Sequence, residues 1–90
     1  MGVKLNVDSR FWGDMLEKAR VFEVEGKTIE ECLRQLVEKE PSISNAIFDK
    51  SGELTAVCFL MLNMVAVFMR RLETEVKEGD VIGVIFGGGG

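Results

Sequence analysis

Val76-Lys77-Glu78-Gly79-Asp80-Val81-Ile82-Gly83-Val84-Ile85-Phe86 runs straight into Gly87-Gly88-Gly89-Gly90 at the end of the sequence. Lys77 to Asp80 reads as a turn, with Gly79 supplying a positive φ without a Cβ clash. Val81, Ile82, Val84, Ile85 and Phe86 then make a short apolar strand rich in β-branched residues. A buried strand that ends directly in glycine divides the chain into a folded body, residues 1–86, and a flexible tail, residues 87–90. Fully extended, the four glycines reach roughly 13–14 Å beyond the strand. That is far enough to thread a narrow channel and place a terminal carboxylate inside another protein. A glycine run can also be no more than a frayed end or a linker. The absence of any spacer between strand and glycines argues against that here.

Working outward, Val3, Leu5 and Val7 alternate with Lys4, Asn6 and Asp8, the pattern of a strand with one wet face. Arg20 to Glu25 alternates again, with Phe22 and Val24 on one side, so the two strands form an antiparallel hairpin. Ser9 to Lys18 is the connection between them. There Phe11, Met15 and Leu16 are expected to cap the core, and Trp12 is read as a core residue too. Thr28 and Glu31 form a capping box. Ile29, Cys32, Leu33, Leu36 and Val37 then follow helical spacing, and Pro41 stops the helix near Glu40. Ile43, Ala46, Ile47 and Phe48 fold back onto the core, and Asp49 to Gly52 turns the chain. Glu53 to Leu62 reads as a strand, apolar on both faces from Ala56 onward and so central in the sheet. Asn63 interrupts the run, and Val65 to Phe68 is a short further strand.

Hairpin, helix, two strands and a final strand make an α+β fold. The expected architecture is a β-grasp: one helix across a mixed sheet of four to five strands, with first and last strands parallel at its centre. Ninety residues give one domain with a small core, and 47% apolar with 29% charged residues is ordinary for a globular chain. The net charge of −4 argues against nucleic acid as a partner. Ala56 to Met69 is too short for a spanning helix, which needs about 20 residues. No membrane association and no signal peptide are therefore expected. With no histidine and two cysteines, a His-containing zinc site and a self-contained iron–sulfur cluster are excluded. No metal and no bound cofactor are expected. Cys32 and Cys58 lie in apolar patterns and read as reduced core thiols of a cytoplasmic protein.

The sequence resembles the small sulfur-carrier proteins of the molybdopterin synthase small subunit and thiamine ThiS type, which share the ubiquitin fold. The matching stretches are Glu25-Gly26-Lys27-Thr28, Leu33 to Pro41, Phe48-Asp49-Lys50-Ser51-Gly52-Glu53-Leu54, Leu62-Asn63, Val76-Lys77-Glu78-Gly79-Asp80-Val81 and the glycine terminus. The chain departs from the family pattern in three places. Met64 stands where an Asn-Gly turn is usual, four glycines stand where two are common, and Phe86 precedes them.

The resemblance implies a carrier, not an enzyme. Gly90 would be adenylated and converted to a thiocarboxylate, with Gly89 beside it and Gly87 and Gly88 completing the threading tail. The partners implied are an adenylyltransferase of the ubiquitin-activating type, which uses ATP, and a large synthase subunit or a thiazole synthase. The length lies nearer the molybdopterin branch than the shorter thiamine branch, and tRNA thiolation is a further recipient. Two other readings stay open: a ubiquitin-like modifier attached to lysines through its terminal glycine, and a non-catalytic β-grasp interaction domain. The surplus of apolar residues from Ala56 to Phe86 predicts a partner-binding patch on the sheet face away from the helix, drawn from Phe59, Met61, Phe68, Ile82 and Phe86.

Overall fold

The computed structural model describes residues 2–8, 19–67 and 71–86. Strands β1 (Val3–Asp8), β2 (Ala19–Val24), β3 (Cys58–Leu62), β4 (Val65–Ala66) and β5 (Val81–Phe86) form a single sheet in the order β2-β1-β5-β3-β4. β1 and β5 are parallel at its centre, and the remaining pairs are antiparallel. Helix α1 (Ile29–Lys39) is followed by a 3₁₀ turn (Pro41–Ile43) and a single helical turn, α2 (Ser44–Ile47). This is the expected β-grasp. The connection from Ser9 to Lys18, with Phe11, Trp12, Met15 and Leu16, lies outside the described residues, as do Phe68 and the glycine tail.

Helix α1 starts and stops where its sequence signals lie. The Glu31 N–H donates to Thr28 Oγ1 at 3.2 Å, and the Glu31 carboxylate accepts from the Lys27 N–H at 2.9 Å. The glutamate thus reaches one residue further back than the capping threonine. Other first-turn donors find the segment ahead of β5: Ile29 N–H bonds Thr74 O and Glu30 N–H bonds Leu72 O. A helix leaves its first four N–H groups without intrahelical partners, so this docking ties α1 to the approach to β5. Gln35 lies off the apolar stripe but is not idle. Its carboxamide accepts from the Glu25 N–H and donates to the Glu25 carbonyl, fixing the end of β2 to the helix.

The core sits between α1 and one face of the sheet. Ile29, Cys32, Leu33 and Leu36 are fully buried against Val3, Leu5, Val7, Cys58, Leu60, Ile82 and Val84. Val37 packs at the margin, and Ile43, Ile47 and Phe48 close one end. Among the described residues no helix is long and apolar enough to cross a membrane.

Two strand expectations are corrected. The run from Glu53 to Leu62 becomes a strand only at Cys58, and β3 lies beside the central strand rather than at the centre. Upstream, Asp49 Oδ1 accepts from the N–H groups of Ser51 and Glu53, and Thr55 N–H bonds Ile47 O. These bonds hold residues 53–55 against α2 and leave Leu54 in an isolated bridge with Phe48. The strand expected over Val65 to Phe68 is described as Val65–Ala66 alone.

Asn63 and Met64 make the two-residue turn between β3 and β4, with φ of 50° and 72°. Positive φ at both positions marks the hairpin turn whose twist suits flanking strands. Asn63 also reaches across to the start of β5. Its Oδ1 accepts from the Val81 N–H at 2.9 Å, and its Nδ2 donates to Asp80 Oδ1 at 3.1 Å. Asp80 Oδ2 in turn accepts from the Lys77 N–H across the turn that Gly79 makes at φ 91°. The Asn63 side-chain bond, followed by the Lys77 bond, holds the Asp80 carboxyl below its ordinary value.

Three measurements test this account. Leu36→Ala should lower unfolding free energy by about 2–5 kcal/mol, and a loss under about half a kcal/mol would place Leu36 in water. Met64→Gly should raise stability by about 1 kcal/mol, because it relieves a left-handed side-chain-bearing residue. An unchanged or lower denaturation midpoint would contradict that strain. Asp80 has a depressed folded pKa, so its contribution is present above the ordinary value of 3.8 and lost as pH falls through the folded pKa. Below that value the wild type should lose stability faster than Asp80→Asn, and parallel pH profiles would remove the clasp.

The tail-presenting strand and its exposed sheet face

The residues that precede the glycines are held by the best-supported part of the sheet. β5 pairs with β1 from Lys4↔Val81 to Val7↔Val84 and with β3 from Leu62↔Ile82 to Cys58↔Phe86. The β3 edge is thus paired to the last residue of the strand and the β1 edge as far as Val84. Phe86 ends β5, and Gly87, Gly88, Gly89 and Gly90 follow in the sequence.

Alternation then decides which side chains face out. Ile82 and Val84 are fully buried toward α1, and Phe86 shares their face and is half-buried against the core. Two members of the expected patch are thereby corrected. Ile82 and Phe86 belong to the helix side because they have the same parity as Val84. The opposite face carries Val81, Gly83 and Ile85 on β5, and Phe59 and Met61 on β3. Phe59 lies in register with Ile85, and Met61 with Gly83. Phe59 is 49% exposed and Ile85 36%, with Met61 half-buried beside them. Ile85 was not expected in the patch. Its parity identifies it once Ile82 is known to point inward.

The face is divided in two. Its β3–β5 half bears no charged side chain, whereas on β1 and β2 the outward positions Lys4, Asn6, Asp8 and Glu23 surround one exposed valine, Val21. An apolar surface next to the exit of a glycine strand can dock a partner and guide the tail. It offers no acid or base of its own. Among the described residues no three His, Cys, Asp or Glu side chains are grouped to hold a metal ion. Cys32 and Cys58 are buried, and burial, with a smaller contribution from the Glu31 charge, pushes the Cys32 thiol up. A raised thiol is poorly nucleophilic at neutral pH.

The fold is shared with solved proteins. Small archaeal modifier protein 1 from Methanosarcina acetivorans superposes with a TM-score of 0.77 at 22% identity, covering 98% of this chain and 94% of that one. A chain of the BexX/CysO complex from Amycolatopsis orientalis gives a TM-score of 0.73 at 21% identity, covering 99% of each chain. A chain of the complex of subunits 1 and 2 of molybdopterin-converting factor from Helicobacter pylori gives 0.59 at 21%, covering 100% and 99%. At these identities the likeness is one of fold. No curated protein matches the chain. The sequence model of the ThiS family, however, matches residues 10–90, all but the first nine. The chain belongs to the ThiS family of ubiquitin-like small sulfur carriers.

Proposed function

We propose that the protein carries sulfur as a thiocarboxylate on Gly90. The observation that supports this most directly is the central strand β5, bonded on both edges and running without a spacer into Gly87-Gly88-Gly89-Gly90. A carboxylate oxygen of Gly90 attacks the α-phosphorus of ATP, and pyrophosphate leaves. The resulting acyl-adenylate is attacked by a hydrosulfide-level sulfur donor. A carbon–sulfur bond forms, the carbon–oxygen bond to AMP breaks, and AMP departs with the electron pair. An adenylyltransferase of the ubiquitin-activating type supplies the ATP site, so the carrier needs neither a bound cofactor nor an acid or base. The lack of side chains at 87–90 suits this chemistry, because a Cβ would crowd attack on the acyl carbon. A large synthase subunit would then take the sulfur, with molybdopterin as the first candidate product and thiamine, through a thiazole synthase, as the second. Phe59, Met61 and Ile85 form the docking surface for these partners.

The likeness to small archaeal modifier protein 1 favours a second reading. In that reading a lysine amine of another protein displaces AMP in place of sulfur and leaves an isopeptide bond.

Intact-mass measurement after incubation with ATP, the host's adenylyltransferase and a sulfur donor tests the proposal. A sulfur-for-oxygen mass increase is expected. It should persist in Cys32→Ala/Cys58→Ala and vanish when Gly90 is deleted. Lysine-linked adducts to other proteins would shift the assignment to a modifier. A sulfur gain that disappears with the two cysteines would end the tail assignment. If removal of Gly90 is harmless and truncation after Gly87 abolishes the signal, a shorter tail is the active form.

A further inference from the structure

Gly83 occupies the middle of the central strand, in register with Asn6 on β1 and Met61 on β3. The register runs on through it on both sides, so no bulge calls for a glycine. It is not among the residues with positive φ. A Cβ built on it would meet only Met61 Cβ at 3.5 Å, an ordinary van der Waals distance. Glycine in a strand interior is nevertheless destabilising and often marks a place where another molecule approaches closely. Among the described residues, no other atom apart from those of its chain neighbours comes within 4 Å of that position. The missing side chain leaves a shallow notch on the exposed face, walled along β5 by Val81 and Ile85 and across the sheet by Met61 and Asn6.

We propose that this notch seats an apolar side chain of the adenylyltransferase that acts on the tail, and that Gly83 is a specificity-determining residue for that enzyme. The proposal rests on the carrier reading above. The occupant follows from where the strand leads. Gly83 stands seven residues before Gly90, a reach of roughly 23–25 Å when extended. Any protein working on Gly90 must therefore lie within that distance of the notch, and the β3–β5 half of the face around the notch has no charge to desolvate. Contacts at a filled notch and capture of the tail then act together, since the rigid strand sets the spacing between them.

Wild type, Gly83→Ala and Gly83→Val are compared by ATP–pyrophosphate exchange with the host's adenylyltransferase, by thermal melting and by sedimentation. Both variants should fold and melt no lower than wild type. Gly83→Val should lower kcat/KM at least about tenfold through KM, with kcat kept because the tail is unaltered, and Gly83→Ala should lie between. A wild-type KM in Gly83→Val would overturn the proposal and leave the carrier reading standing. Lower melting temperatures in both variants would also overturn it, since the fold itself would then require glycine. A wild-type dimer that Gly83→Val abolishes would assign the notch to a second copy. No exchange with wild type would remove the carrier reading, and this inference with it.

Discussion

Everything in this chain depends on the parallel pairing of β1 and β5. Parallel neighbours cannot be joined by a tight turn; they need a crossover that carries the chain from one end of the sheet to the other. Here the whole middle of the chain, from β2 through α1 to β4, serves as that crossover. The apolar stripe of α1 covers the ladder on one side, which explains why Val3, Leu5, Val7, Ile82 and Val84 are buried without exception. Closure is then secured at the ends by polar contacts. Gln35 holds β2 to the helix, and Asn63 holds the β3–β4 turn to the start of β5.

One helix covers one face, and the consequence is a two-sided sheet with a divided outer surface. The β1–β2 half meets its exposure mainly with polar residues, Val21 being the exception. The β3–β5 half does not: Phe59, Met61 and Ile85 remain at least partly accessible. Large exposed aromatic and aliphatic side chains side by side mark interaction surfaces on small domains. Phe59 and Ile85 lie beside Phe86, the last residue before the glycines in the sequence.

Much of this was legible in the sequence. Thr28, Glu31 and Pro41 each act through local geometry, so the limits of α1 could be read from single residues. The order of elements and the glycine run led to the family, which the match over residues 10–90 bears out. What could not be read was facing. Val81 to Phe86 is apolar at every position but Gly83, so composition carries no parity and does not show that Ile82 and Phe86 face the helix. The start of β3 is hidden in a similar way: hydrogen bonds of Asp49 and Thr55 hold residues 53–55 outside the strand, and nothing in the composition of Glu53 to Val57 marks that. The Asn63–Met64 turn was hidden because methionine is a rare occupant of a left-handed position. Asn63 itself was read as a break in the run, not as the residue that joins two turns.

The central pair also has a mechanical meaning. β1 begins near the front of the chain and β5 leads out through its glycines, and the two strands point the same way. Tension applied between the start of β1 and the end of β5 therefore loads their hydrogen bonds along the strand direction. The bonds share that load as a group and do not open one at a time like a zipper. A tail held or drawn by another protein is thus anchored to the stiffest direction of the sheet.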